Sequence, residues 1–170
     1  MSDSDYFHGD VRFPAWAIRY LPVFPPEKEV NLELEPSDRV YFYSEEECEY
    51  GDVSIIADLV SLGIPFDSSS AEYFEHKAKD DYFRFGAIDG QTEIRSVIDG
   101  DQDVPAKDII ELVHRGLTAA EIGKWCTDFL APSQPLTPPL EEISERDYLE
   151  WLSKKDQAFR DRALSRLGGA

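Results

Sequence analysis

The chain has 170 residues, with 17 Lys+Arg against 35 Asp+Glu and a net charge of −18. A hydrophobic fraction of 42% that includes 12% aromatic residues supplies a full core and excludes a disordered acidic tail. The charge excludes direct binding to a nucleic-acid backbone, because neutralising phosphates requires clustered Lys and Arg.

Residues 1–10 read as a polar, frayed end. Pro14 ahead of AWAIRYL suits the first turn of a short helix, where a missing N–H costs nothing. The alternation Val30-Asn31-Leu32-Glu33-Leu34-Glu35 predicts a short edge strand with three apolar side chains on one face. Val40–Tyr43 predicts a second strand that ends at the acidic run Glu45-Glu46-Glu47-Cys48-Glu49, read as an irregular turn. Asp52 is placed to cap VSIIADLVSLG, where Val53, Ile56, Leu59 and Val60 recur at helical spacing and Gly63 ends the run.

Ile64-Pro65-Phe66 predicts a strand, residues 67–70 a turn and Tyr73–Lys77 another strand. Asp80-Asp81 reads as a hairpin turn, Tyr82–Phe85 as the returning strand, Asp89-Gly90 as a second turn and Thr92–Ile98 as the last strand. Beyond Asp103 the pattern is helical. Pro105 opens a helix closed by Gly116, and Thr118-Ala119-Ala120-Glu121 is a capping box for the next, which runs through Trp125 and Phe129. Residues 132–143, with prolines at 132, 135, 138 and 139, read as an irregular linker. Ser144 then caps one long amphipathic helix over 144–167. The fold class is therefore α+β: an antiparallel sheet with a packed helix in an acidic part, 1–103, then two short helices (104–131), the linker and the terminal helix.

Residues 1–103 hold 24 acids and 8 bases, and residues 104–170 hold 11 and 9, so the front carries −16 and the back −2. Sixteen surplus carboxylates match the phosphates of roughly eight base pairs. The same acids could equally be a solvated surface, although −18 exceeds the magnitude of about 2–8 usual for a small soluble domain.

Few residues suggest chemistry. Asp99, Asp101 and Asp103 alternate as in a calcium loop, but Val104 stands where Gly is needed and Ile110 where Glu is needed. His8, His76 and His114 lack zinc-site spacing, and no nucleophile elbow, phosphate loop or dinucleotide fingerprint occurs. No catalytic residue, metal or cofactor is expected. The N-terminus has no secretory signal pattern, and the apolar runs are too short for a membrane span, so a soluble cytoplasmic protein with Cys48 and Cys126 as free thiols is expected.

Tyr50-Gly51-Asp52 through Leu62-Gly63-Ile64-Pro65-Phe66-Asp67, with Glu72-Tyr73-Phe74-Glu75 following, resembles a segment of small acidic accessory proteins of plasmids and integrative conjugative elements. Some acidic proteins of that setting are antirestriction or anti-CRISPR proteins that look like DNA. The resemblance implies a non-enzymatic inhibitor that occupies the basic nucleic-acid channel of a defence complex. The charge distribution, and no motif carried over from those proteins, puts forward Glu45, Glu46, Glu47, Glu49, Asp52, Asp80 and Asp81 as its phosphate surrogates, with Asp99, Asp101 and Asp103 beside them. The alternative is an adaptor that dimerises or docks through the terminal helix, using Tyr148, Trp151, Leu152 and Phe159.

Overall fold

The computed structural model describes residues 6–21, 30–34, 39–49, 53–72, 77–88, 91–98 and 103–165. Six strands, β1 (Tyr6–Pro14), β2 (Val30–Leu34), β3 (Val40–Glu49), β4 (Phe66–Ser70), β5 (Lys79–Ile88) and β6 (Gln91–Ile98), form one sheet in the order β2-β3-β1-β4-β5-β6. Every neighbouring pair is antiparallel. Five helices accompany it: α1 (Ile56–Leu62), α2 (Ala106–His114), α3 (Ala119–Leu130), α4 (Glu145–Ser153) and α5 (Gln157–Leu164). The α+β class stands.

Alternation along the strands sorts side chains to two faces. Register places Val11 opposite Tyr43, Phe13 opposite Tyr41 and Phe66 opposite Phe83, and this face builds the main core. Leu59 and Leu62 of α1, Tyr148, Trp151 and Leu152 of α4 and Ala163 of α5 close over it. The Tyr148 hydroxyl donates to the Leu62 carbonyl at 2.8 Å, and its ring stacks on Trp16 of the 3-10 helix Ala15–Tyr20. That short helix follows Pro14 as expected. Tyr20 donates to Glu145 at 2.7 Å; burial and the Glu145 carboxylate push its hydroxyl pKa well above the usual phenol range.

Local signals held. Gly63 ends α1 at φ 68°, Gly116 follows α2 at φ 82°, and both the Thr118/Glu121 and the Ser144/Asp147 capping boxes form. Sheet-dependent readings did not. Residues 6–10 belong to β1, which is paired on both sides, so its backbone hydrogen bonds outweigh a polar local composition. The acidic run continues β3 to Glu49 instead of turning, because β1 pairs with it through Tyr6. Residues 67–70 are strand, not turn, and Asp80-Asp81 lies inside β5 rather than at a hairpin tip. The residue before α1 is Ile55, and the expected cap Asp52, the strand over 73–76 and the turn at 89–90 lie outside the described residues.

The terminal helix is two helices. Asp156 caps α5 by accepting from the Phe159 amide at 2.9 Å, and the break at 154–156 lets the Phe159 ring meet Trp151 at 5.6 Å. A straight helix would place Ala163 about 18 Å beyond Trp151. The break brings both into one cluster.

Gly63 also lies against the Trp151 ring: a Cβ there would fall 2.7 Å from Cζ3 and nearer still to Cη2. Gly63→Ala therefore combines left-handed strain with overpacking against a buried indole. A loss of about 2 kcal/mol or more in urea unfolding is expected.

Candidate functional site on the second face of the sheet

The face opposite the core carries Asp10, Arg12, Phe42, Asp67, Ser69, Asp80, Tyr82, Arg84 and Arg95, placed there by the same alternation. Residues 131–143, of which 132–143 read from the sequence as an irregular linker, run along this face as a strap with 3-10 turns at 131–133 and 140–142. Leu136, Leu140 and Ile143 are buried beneath it, the last two against Val40. Four prolines deprive the strap of donors, so it cannot pair as a strand and its carbonyls need partners from elsewhere.

Arginines supply them. Arg84, only 2% exposed, donates from Nε to the Pro138 carbonyl at 2.9 Å and from Nη2 to Leu136 at 3.4 Å. Its Nη1 donates to the carbonyls of Phe66 and Phe83 at 3.0 and 2.9 Å. Asp67 Oδ1 lies 2.6 Å from the same nitrogen without an aligned hydrogen, so that approach is a charge contact that balances the buried guanidinium. Arg95 donates to Gln134 and Ala131, Arg39 to the Glu141 carbonyl, and Arg12 pairs with the Glu141 carboxylate at 3.1 Å. Trp16 donates to the Ile143 carbonyl at 2.9 Å.

Between strap and sheet lies a groove of about 470 Å³, floored by Asp10, Arg12, Asp67, Ser69 and Asp80 and walled by Phe42, Tyr82, Leu136 and Glu141. Partial burial, then the charges of Asp81 and Asp67, raise the Asp80 pKa above the carboxylate value of 3.8. Burial and the charges of Asp80 and Asp67 likewise raise that of Tyr82. Among the described residues no group of three or more His, Cys, Asp or Glu is arranged to hold a metal ion.

Of the acids expected to act together, those with described side chains do not share one surface. Glu45 is not a surface charge: it is 3% exposed and accepts from the Ser54 amide at 2.8 Å and the Ser54 hydroxyl at 2.7 Å, which ties β3 to the turn before α1. Asp80 and Asp81 are strand neighbours and face opposite ways, Asp80 into the groove and Asp81 toward Lys79 and Ser96. Asp103 is exposed ahead of α2. The backbones of Glu46, Glu47 and Glu49 lie in β3, while their side chains, with Asp52, Asp99 and Asp101, fall outside the described residues. Of the docking set, Tyr148, Trp151 and Leu152 are core and Phe159 packs on Trp151. Exposed apolar side chains lie at Ile110 and Val113 of α2, 55% and 54% exposed, at Phe129 of α3, and also at Leu149 of α4 and Leu164 of α5.

Six of the eight bases of the first 103 residues have partners within the fold. Arg12, Arg39, Arg84 and Arg95 hold the strap, Arg19 pairs with Glu145 at 3.2 Å and Lys79 with Asp81 at 2.8 Å. The groove itself escaped the sequence reading. Alternation about Phe83 could have put Asp80, Tyr82 and Arg84 on one face, but nothing local joins them to Asp10, Asp67 or the strap. Comparison with family models, curated proteins and solved structures finds no match.

Arg84→Met should cost about 3 kcal/mol or more, because it strands Asp67 and several carbonyls. Thermal melting and faster protease cleavage within 131–143 are the readouts. Asp80→Asn should do the reverse. A carboxyl whose folded pKa is raised keeps its proton better when folded, so stability falls as pH rises through the window above 3.8. The asparagine variant is expected to be the more stable at pH 7, and its advantage to vanish below 3.8 in a pH series of unfolding midpoints.

Proposed function

We propose that the chain is a non-enzymatic inhibitor that binds the basic, nucleic-acid-binding surface of another protein and keeps nucleic acid from it. The observation that carries the reading is the direction of the charges. Six of the eight bases in the −16 part are tied to the strap, to α4 or to a neighbouring carboxylate, so the acid surplus is left to the surroundings. A field of that sign speeds encounter with a positive surface and repels nucleic acid itself. The resemblance to acidic mobile-element proteins points to antirestriction or anti-CRISPR action as the biological setting. Docking through the terminal helices has less support, because Tyr148, Trp151 and Leu152 face the core.

Expression in hosts with an active restriction or CRISPR system should raise transformation by an unprotected target plasmid. The complex captured from such a host should weaken by about tenfold or more between about 50 and 200 mM salt, as competition with phosphate contacts requires. Unchanged transformation, or a salt-independent complex, contradicts the proposal.

A further inference from the structure

We infer that the groove between strap and sheet is a receptor for an arginine side chain presented by a basic protein partner. The inference rests on the inhibitor reading only for the presence of such a partner; the pocket itself is argued from its own geometry.

Charge is the first step. Arg84 is balanced by Asp67 at 2.6 Å and Arg12 by Glu141 at 3.1 Å, while Asp10 meets His8 Nε2 at 3.0 Å. Asp80 has neither hydrogen bond nor ion pair among the described residues, although it is partly buried beside Asp67. The groove therefore carries surplus negative charge, and the positive groups already in it are occupied. Its occupant is a cation.

Spacing decides which cation. Register aligns Asp10 of β1 with Ser69 of β4, and Ser69 with Asp80 of β5. Asp10 and Asp80 thus lie two strand spacings apart, about 10 Å, with the Ser69 position between them. A bare metal ion draws its oxygens to about 2.0–2.6 Å and cannot bridge that distance. A guanidinium is wide, flat and carries five donors, so it can address carboxylates on two sides at once. The rings of Phe42 and Tyr82 line the same groove, and a guanidinium stacks on aromatic rings more readily than an ammonium does. A volume of about 470 Å³ admits a whole side chain.

The test titrates the full chain with a short acetylated, amidated Gly-Arg-Gly peptide and with its citrulline and lysine counterparts, following amide shifts by NMR. Saturable shifts at Ser69, Asp80 and Tyr82 are expected, with the arginine peptide binding about tenfold or more tighter than the citrulline one. Asp10→Asn/Asp80→Asn should weaken it by about tenfold, whereas Glu111→Gln/Glu150→Gln, at exposed positions on α2 and α4, should change it by less than about twofold. Asp80→Asn alone, expected to be the more stable fold, should also weaken binding, so the outcome does not hang on the double variant. No saturable shifts at these amides overturns the inference, as does equal binding of the lysine or citrulline peptide. Equal losses in the two double variants would overturn the groove while leaving the inhibitor reading intact; that reading fails separately, on the transformation and salt tests.

Discussion

The guanidinium of Arg84 closes the molecule. It is one of the largest buried side chains, and its donors reach four carbonyls on three separate segments: Phe66 of β4, Phe83 of β5, and Leu136 and Pro138 of the strap. A proline-rich strap has acceptors in excess of donors, and a sheet face offers no free backbone donors to meet them. A side chain rich in donors and without acceptors is the chemical answer, and a lysine, with one nitrogen, could not span the same set. The cost is a charge out of water, which Asp67 at 2.6 Å offsets. Once the strap is fixed, Ser144 and α4 begin where Tyr148 and Trp151 can enter the core. The division at residue 103 is thus a boundary of composition, while the core is continuous across it.

That closure also shapes the electrostatics. Holding the strap consumes arginines, and most of the bases in the first 103 residues are drawn inward or paired as a result. Net charge counts every ionised group alike, whereas a partner responds to what is not already neutralised at close range. The fold therefore answers its bases within itself and leaves the acid surplus to the surroundings. The carboxylates are not equivalent either. Glu45 is a structural acceptor for the turn before α1, and Glu141 and Glu145 are anchors for arginines.

What was legible in the sequence was local. Gly63, the Thr118 and Ser144 capping boxes and the apolar spacing of α1 act within a few residues, so a few residues suffice to read them. The strand over residues 6–10, the extension of β3 through Glu45–Glu49 and the serine-rich β4 are stabilised by pairing with distant segments, and their own compositions argue for turns. The terminal helix failed for a related reason. Its apolar stripe is continuous in sequence, but the core demands that Trp151 and Ala163 converge, and Asp156 provides the break. Of the candidate site, only Asp80 and Asp81 were singled out, and as a pair on one surface. Alternation in β5 separates them, and sheet register brings Asp80 together with Asp67 of the preceding strand and with Asp10 of the distant β1.

Asp80 is the clearest case of a residue placed against its own stability. A carboxylate that shares a partly buried face with Asp67 raises its own pKa, and asparagine would fit the same space without the repulsion. Folding needs no charge there: the adjacent strand contacts are made by backbone, and the strap is held by arginines that have other partners. Asp80 is thus an acid of this face that no base answers among the described residues. Glu45 points the same way from the opposite side, since the acid buried best is the one least able to meet a partner. The phosphate-like count of sixteen does not distinguish these carboxylates from one another. What matters is which carboxylates the fold leaves unanswered, and on the described surface the most conspicuous of these faces the groove.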